Sequence, residues 1–267
     1  MFRAGGKRLN IVVCVKQVPD TTAEKRFDAD FRLDRKGVEN VLNPQDEYAV
    51  EEALRIKEKT GASVTALCVG PDSAKETLRK AIAMGVEKAV LVSDPALVGS
   101  DVIATARVLA AAIKKLPHDL VLCGAESTDA RMGVAAPAIA EGLGLPQHTL
   151  TNKLKISGEK LTAFHSTEKG HDVVESKLPA VVGVTKAINE PRYPSLKGIM
   201  QSKKVEIQVW SVADLGISPD TVGVKGALTK VLSVNKPAAR GAATIVKADD
   251  ADPVARIVDA LVAAKIL

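Results

Sequence analysis

This 267-residue sequence predicts an α/β fold: a doubly wound, mostly parallel sheet with a C-terminal extended arm and helix. Three observations carry that prediction. Hydrophobic residues make up 46% of the chain but aromatics only 3%, so Val, Ala, Leu and Ile must build the core. Aliphatic runs alternate with helix-periodic stretches as far as Pro146, the rhythm of strands joined by crossover helices. The runs are continuously apolar, as strands covered on both faces are.

The elements follow in order. Ile11–Val15 reads as the first strand. Asp46–Glu58 carries Ala49, Val50, Ala53, Leu54 and Ile56 at helical spacing, with acids early and lysines late, which suits the helix dipole. Val64–Val69 is a second strand. Asp72–Met84 is a second helix, capped by Asp72 or Ser73 and closed by Gly85. Ala89–Val92 is a third strand, and Ser100-Asp101 opens a third helix that runs through Lys115. Leu120–Cys123 is a fourth strand, followed by a helix over Val134–Leu143.

After Pro146 the pattern changes. Leu154–Ile156, Leu161–His165 and Val173–Glu175 read as short strands with turns at Ser157-Gly158 and Lys169-Gly170, and Ala180–Thr185 returns to a buried strand. Ser211–Gly216 reads as a short helix, Pro219–Thr244 as an extended arm without its own core, and Asp252–Ile266 as an amphipathic helix. The expected division is an α/β domain over 1–213 and an arm over 214–267.

Composition excludes several function classes. The net charge of +5 is spread along the chain, without the basic run interleaved with aromatics that nucleic acid favours. Cys14, Cys68 and Cys123 form no CxxC pair and sit inside aliphatic runs, as core thiols of a reducing compartment do. No metal set is expected. There is no leader pattern at Met1–Asn10 and no apolar run near the ~18 residues a membrane helix needs. The expectation is a cytoplasmic protein without stable membrane insertion.

In a doubly wound sheet, ligands bind beyond the carboxyl ends of the strands where strand order reverses. Four segments converge there: Cys14–Asp20, Asn43-Pro44-Gln45-Asp46, Val69-Gly70-Pro71 and Gly124–Ala135. The last reads GAESTDARMGVA. Ser127, Thr128 and Asp129, with free amides at a helix start, make a plausible phosphate and ribose site, so the sheet reads as adenine-nucleotide-binding and Rossmann-like. Asp129 could equally be a helix cap and Asn43 a turn or cap residue. No GxGxxG or GxxxxGK[ST] run is present. His118, His148, His165 and His171 have no nucleophile beside them, and no catalytic residue is expected. The chain reads as a binding or carrier protein, not an enzyme.

A second feature lies beyond Ala180–Thr185. Asn189-Glu190-Pro191-Arg192-Tyr193-Pro194 is stiffened by two prolines and followed by Leu196, Ile199 and Met200. It reads either as a docking loop or as a strand-to-helix connection with a staple leucine.

These segments resemble the small (beta) subunit of electron-transfer flavoproteins. The resemblance spans Ile11–Val18, Asn43-Pro44, Ala49–Ala53 and Ala81–Gly85, and is strongest at Leu178–Val182 and Asn189–Met200. It implies a heterodimer with the large (alpha) subunit; the arm, poor in core-forming residues and so in need of a surface from its own domain or another subunit, is expected to pack on that partner. It implies one FAD, shared but held mostly by the large subunit, and AMP in this subunit. The nucleotide contacts implied by position are Cys14, Asn43, Pro44, Gln45, Asp46, Val69, Gly124, Glu126, Ser127, Thr128, Asp129, Ala130, Arg131, Met132, Gly133, Val134 and Ala135. Leu196 matches the leucine that anchors partner dehydrogenases, with Arg192, Tyr193, Ile199 and Met200 around it. The implied role is carriage of electrons from flavin dehydrogenases, such as the acyl-CoA dehydrogenases of fatty acid oxidation, to a membrane quinone oxidoreductase. A branch of the family bifurcates electrons with a second FAD and carries Asp-Gly-Asp-Thr after the fourth strand. Here Asp129-Ala130-Arg131-Met132 stands instead, which favours AMP, whereas Val18-Pro19-Asp20-Thr21 is shared with that branch. A stand-alone nucleotide-binding sensor is the rival from another class.

Overall fold

A computed structural model describes residues 8–235, 238 and 241–267, and contacts divide the chain into two compact units at Leu232/Ser233. In the first unit, strand β1 (Asn10–Val15) leads through β2 (Gln17–Pro19) and β3 (Asn40–Leu42), a two-stranded antiparallel ribbon, into helix α1 (Pro44–Thr60). Pro44 begins α1, where its missing N–H costs nothing. Asp46 and Glu47 occupy the first turn, Lys57 and Lys59 the last, and Gly61 closes the helix at φ 74°. Then come β4 (Ser63–Val69), α2 (Lys75–Met84), β5 (Lys88–Val92), α3 (Val102–Lys114), β6 (Leu120–Gly124) and α4 (Ala135–Leu143). The strands β7 (Gln147–Ser157), β8 (Lys160–Thr167) and β9 (Gly170–Lys177) form an antiparallel meander, and β10 (Ala180–Val184) re-enters the sheet. Helix α5 (Leu196–Ser202), strand β11 (Ile207–Trp210) and the single turn α6 (Gly223–Gly226) complete the unit.

The nine-stranded sheet has the order β11-β5-β4-β1-β6-β10-β7-β8-β9 and is parallel from β11 to β7. Side chains alternate along β1. Ile11, Val13 and Val15 enter the core shared with α1 and α2, and Val12 and Cys14 enter the core shared with α3 and α4. Both faces are therefore covered, and the doubly wound prediction holds. From β1 the chain builds outward through β4 and β5, then crosses back to β6 on the other side, so strand order reverses between β1 and β6.

The structure corrects several boundaries. The meander strands are longer than the apolar runs that marked them, because their exposed faces are polar. His148 is buried on β7 and bonded to His165 (3.2 Å) and Ser176 (2.8 Å). Ser211–Gly216 forms turns rather than a helix: the Asp214 carboxylate accepts from the Ser211 N–H and hydroxyl, both at 2.7 Å, and competes with helical bonding. β11 was missed because only four residues pair there.

The first unit also runs beyond Ala213. Val222 is buried, Arg107 donates to the Thr221 carbonyl at 2.7 Å, and Asp101 accepts from the Leu228 and Thr229 amides at 2.8 and 3.0 Å. The second unit contains helix α7 (Pro253–Ala263), whose Asp252 carboxylate accepts from the Ala255 amide, and none of whose residues is buried.

Candidate functional site

The reversal point is built by three backbone ends. The first residue after β1, Lys16, donates its amide to Asp46 Oδ2 at 2.8 Å, tying β1 to the first turn of α1. Gly124 ends β6 against the same turn. A Cβ there would lie 2.7 Å from the Gln45 carbonyl carbon, so only glycine lets α1 come this close. Asn43 is buried and does not cap α1 with its side chain. Its Nδ2 donates to the Glu126 carbonyl (2.9 Å), and its Oδ1 accepts from the Thr128 amide (3.1 Å). The residue therefore ties the loop after β6 to the start of α1.

Asp46 is buried, and burial pushes its carboxyl up to about 7, against the opposing bonds from Asn43, the Lys16 amide and Gly124 and the Lys16 charge. An unfolded aspartate titrates near ~3.9, so between that value and about 7 the native state holds the extra proton. The stability this contributes is complete below ~pH 4 and is lost as pH rises through about 7. Asp46→Asn is expected to flatten the fall in unfolding free energy between pH 4 and pH 8, a difference of a few kcal/mol that denaturant titrations would reveal. An unchanged slope would show that another group carries it.

A second layer lies above this base. The Asp129 side chain is 3% exposed and is held between two cations. Lys16 Nζ donates to its Oδ1 at 2.8 Å and to Ser127 Oγ at 3.2 Å, and Arg35 Nη2 donates to its Oδ2. Burial alone would raise this carboxyl, but the Lys16 charge and the bonds from Lys16, Arg35 and Ser127 prevail and hold it well below the usual range. Arg35 comes from the 20–39 excursion between β2 and β3, pinned by the Phe27–Leu33 bridge and the Asp20 N–H to Glu39 carbonyl bond (2.9 Å). Asp129 also borders a cleft of about 50 Å³, lined besides by Pro19, Asp20, Thr21, Lys25, Leu33, Thr128 and Arg131. Two buried polar atoms here, Thr128 Oγ1 and Arg35 Nη1, have no hydrogen-bond partner among the described residues.

The remaining expected site residues fall into place around this. Cys14, one residue before the end of β1, is in register with Cys123 on β6; hydrogen bonding to Cys123 and burial raise its thiol well above the ordinary value, so it is an inert wall. Val69 ends β4 and is half-buried. Ala130 to Ala135 form an exposed rim, with Arg131 at φ 51° and Gly133 at φ 66° turning the chain into α4. Lys16 falls within the expected Cys14–Asp20 segment but was not singled out, and Arg35 and Lys25 were missed. A lysine directly beyond the first strand end was the available signal for Lys16. Arg35 and Lys25 lie in a polar stretch with no periodicity.

The expected docking loop sits on the opposite side of α1. Asn189 donates to the Tyr48 carbonyl (3.0 Å) and to Glu52 (3.2 Å). Arg192 is about one-third exposed and clamps the buried Glu51 with Nε at 2.7 Å and Nη2 at 3.1 Å, and it reaches Glu58 with Nη1. Burial would raise Glu51, but Arg192 and Arg55 bring it below its usual value. Ser195 caps α5 by accepting from the Gly198 amide at 3.0 Å, and a Cβ at 198 would overlap the Ala83 carbonyl of α2. On this fixed base Tyr193, Leu196 and Met200 stand 94%, 83% and 68% exposed, and Ile199 is less so.

Among the described residues, no group of three or more His, Cys, Asp or Glu could hold a metal ion, and no helix is long and apolar enough to cross a membrane. The sequence model of a family described as the electron transfer flavoprotein domain matches residues 30–215. A protein of Mycobacterium leprae named electron transfer flavoprotein subunit beta is 46% identical over 266 residues, covering 97% of this chain and 99% of that protein. One of the same name from Thermoanaerobacterium thermosaccharolyticum is 39% identical over 95% of this chain and 98% of its own length. The caffeyl-CoA reductase-Etf complex subunit CarD of Acetobacterium woodii is 37% identical over 92% of this chain and 95% of its own.

Proposed function

This chain belongs to the electron transfer flavoprotein beta-subunit family, and from that premise we propose that it carries electrons, as half of a heterodimer, from flavin dehydrogenases towards a membrane quinone oxidoreductase. Acyl-CoA dehydrogenases are the proposed donors. FAD, held mostly by the alpha subunit, supplies the redox chemistry, and this chain's residues bind, position and dock. The single observation that carries the reading is the loop at Arg192–Met200. Its arginine is fixed to Glu51 and Glu58, while its apolar residues Tyr193, Leu196 and Met200 face solvent with nothing of the first unit over them. A folded monomer gains nothing from holding a leucine and an aromatic outward on a rigid base, whereas a docking partner does.

The switch-point cleft is proposed to hold AMP. The donor set fits a phosphate: Lys16 and Arg35 supply charge, and the partnerless Thr128 hydroxyl and Arg35 Nη1 supply hydrogen bonds. The 37% identity to a subunit of a caffeyl-CoA reductase complex, together with Val18-Pro19-Asp20-Thr21, whose last three residues line the cleft, supports bifurcation with a second FAD as the alternative. Nucleotides released by heat from the co-expressed heterodimer decide. One FAD and one AMP per heterodimer is expected. Two FAD would establish the bifurcating reading, and a chain that purifies alone without nucleotide would overturn both.

A further inference from the structure

The cleft at the reversal point is too small for the ligand proposed for it. A volume of about 50 Å³ compares with the ~300 Å³ or more of sites that enclose small molecules. One wall residue, Asp129, is held from two sides. Asp129 is shared between Lys16, which is anchored to the end of β1, and Arg35, which arrives from the 20–39 excursion. The bond from Arg35 joins that excursion to the loop after β6, and its acceptor Asp129 is part of the cleft wall. The excursion itself is mostly exposed, and its backbone is bonded chiefly to itself and to β3. It can move outward without disturbing the sheet.

The bonding at the two ends is unequal. On the Lys16 side Asp129 is well satisfied, since Lys16 also holds Ser127. On the Arg35 side the guanidinium places only Nη2 on Asp129, while Nη1 is buried without a partner among the described residues. Guanidinium is a planar fork whose donors favour two oxygens of one acceptor, and a buried donor left unmade is costly. Thr128 Oγ1, next to Asp129 in the chain, is a second buried polar atom in the same condition. Two cations around one carboxylate leave the cluster with a surplus positive charge. An incoming phosphate would bring what is missing: negative charge and several acceptor oxygens.

We propose that Lys16, Asp129 and Arg35 form an ionic strap across the nucleotide cleft, and that an adenine nucleotide opens it by drawing Arg35 from Asp129 to its phosphate. Asp129 stays with Lys16 and Ser127, so no bare buried carboxylate is left behind, and Thr128 and Arg35 gain the partners they lack. Arg35 thereby acts as a positioning residue that distinguishes a phosphorylated ligand from a nucleoside. The inference rests on the reading that this cleft takes a nucleotide.

The test uses the purified heterodimer and measures uptake of labelled AMP, with adenosine and FAD as further probes. Arg35→Gln is expected to weaken AMP roughly ten- to a hundred-fold, the range for losing a charge-assisted hydrogen bond, and to leave adenosine within about twofold. Arg35→Lys, which keeps the charge, is expected to recover part of the loss. If AMP and adenosine weaken together, with a lower melting temperature, Arg35 is only structural and the proposal is overturned. It is overturned also if the wild type binds AMP and Arg35→Gln binds it equally well. An effect with FAD but not AMP would move the guanidinium to a diphosphate and overturn the monophosphate assignment. A wild-type heterodimer that takes up none of the three overturns the nucleotide reading of the cleft, and the strap with it.

Discussion

A chain ended at Leu232 is expected to fold its sheet and to lose its alpha subunit. The compact first unit closes at that residue, and among the described residues no strand or buried core residue lies beyond it. What remains, residues 233–267, contains an amphipathic helix without a core. Val254, Ile257, Val258 and Val262 of α7 recur at helical spacing, and all four are exposed. A stripe of this kind has to be covered to be worth its ordering. Burying such a side chain contributes about 1.5 kcal/mol or more. Four give ~6 kcal/mol before the cost of ordering the arm, several decades of affinity at ~1.4 kcal/mol per decade. The truncated chain should show an unchanged far-ultraviolet helix and strand signature apart from the missing helix, and no co-purification with the alpha subunit. Recovery of the truncated chain in stoichiometric complex with alpha subunit would falsify the assignment of the arm to the interface.

The same contrast between core and surface decides what was legible in the sequence. The parallel strands were visible because each is buried on both faces, so Ile11–Val15 and Ala180–Val184 read as uninterrupted aliphatic runs. The strands of the meander were seen only at their apolar centres. Gly170–Lys177 is exposed along nearly its whole length, and its pairing with β8 leaves no mark in hydropathy. The turns at Ser211–Gly216 were misread because Asp214 bonds back to Ser211, and a helix-like composition does not report that competition. At the site, topology made Gly124, Asn43 and Asp46 accessible to reasoning, since strand ends at a reversal are where loops must meet. Arg35 was not accessible. Its partner Asp129 is 94 residues away in the chain, and no local pattern announces a contact of that range. Arg192 was legible as part of a loop but not as its anchor, because Glu51 reads as one more acid on the polar face of a helix. In the structure it is buried, and the loop is built on it.

That anchoring sharpens the second large effect, which concerns Leu196. The residue starts α5, directly after the Ser195 cap, and its side chain is 83% exposed. The loop below it is held by the Arg192 clamp on Glu51, by Asn189 on Tyr48, and by the close seat of Gly198 on α2. A leucine presented this way can enter a partner's pocket with little ordering left to do, so most of its burial energy counts towards binding. An apolar anchor of this type costs about 2 kcal/mol or more when truncated, which corresponds to a roughly thirty-fold weaker complex. Leu196→Ala is therefore expected to raise the dehydrogenase concentration needed for half-maximal electron transfer by about that factor. Its melting temperature and flavin spectrum should stay at wild-type values, since the side chain contributes little to the core. The staple interpretation makes the opposite forecast: a leucine that packs internally would cost stability and leave transfer per folded molecule unchanged. Arg192→Ala separates the two mechanisms further. It removes a clamp on the buried Glu51, so it should lower the melting temperature and weaken docking together, because the loop that presents Leu196 is no longer fixed. A Leu196→Ala protein that melts early yet accepts electrons at the normal concentration dependence would show that the exposed leucine is not what the dehydrogenase grips.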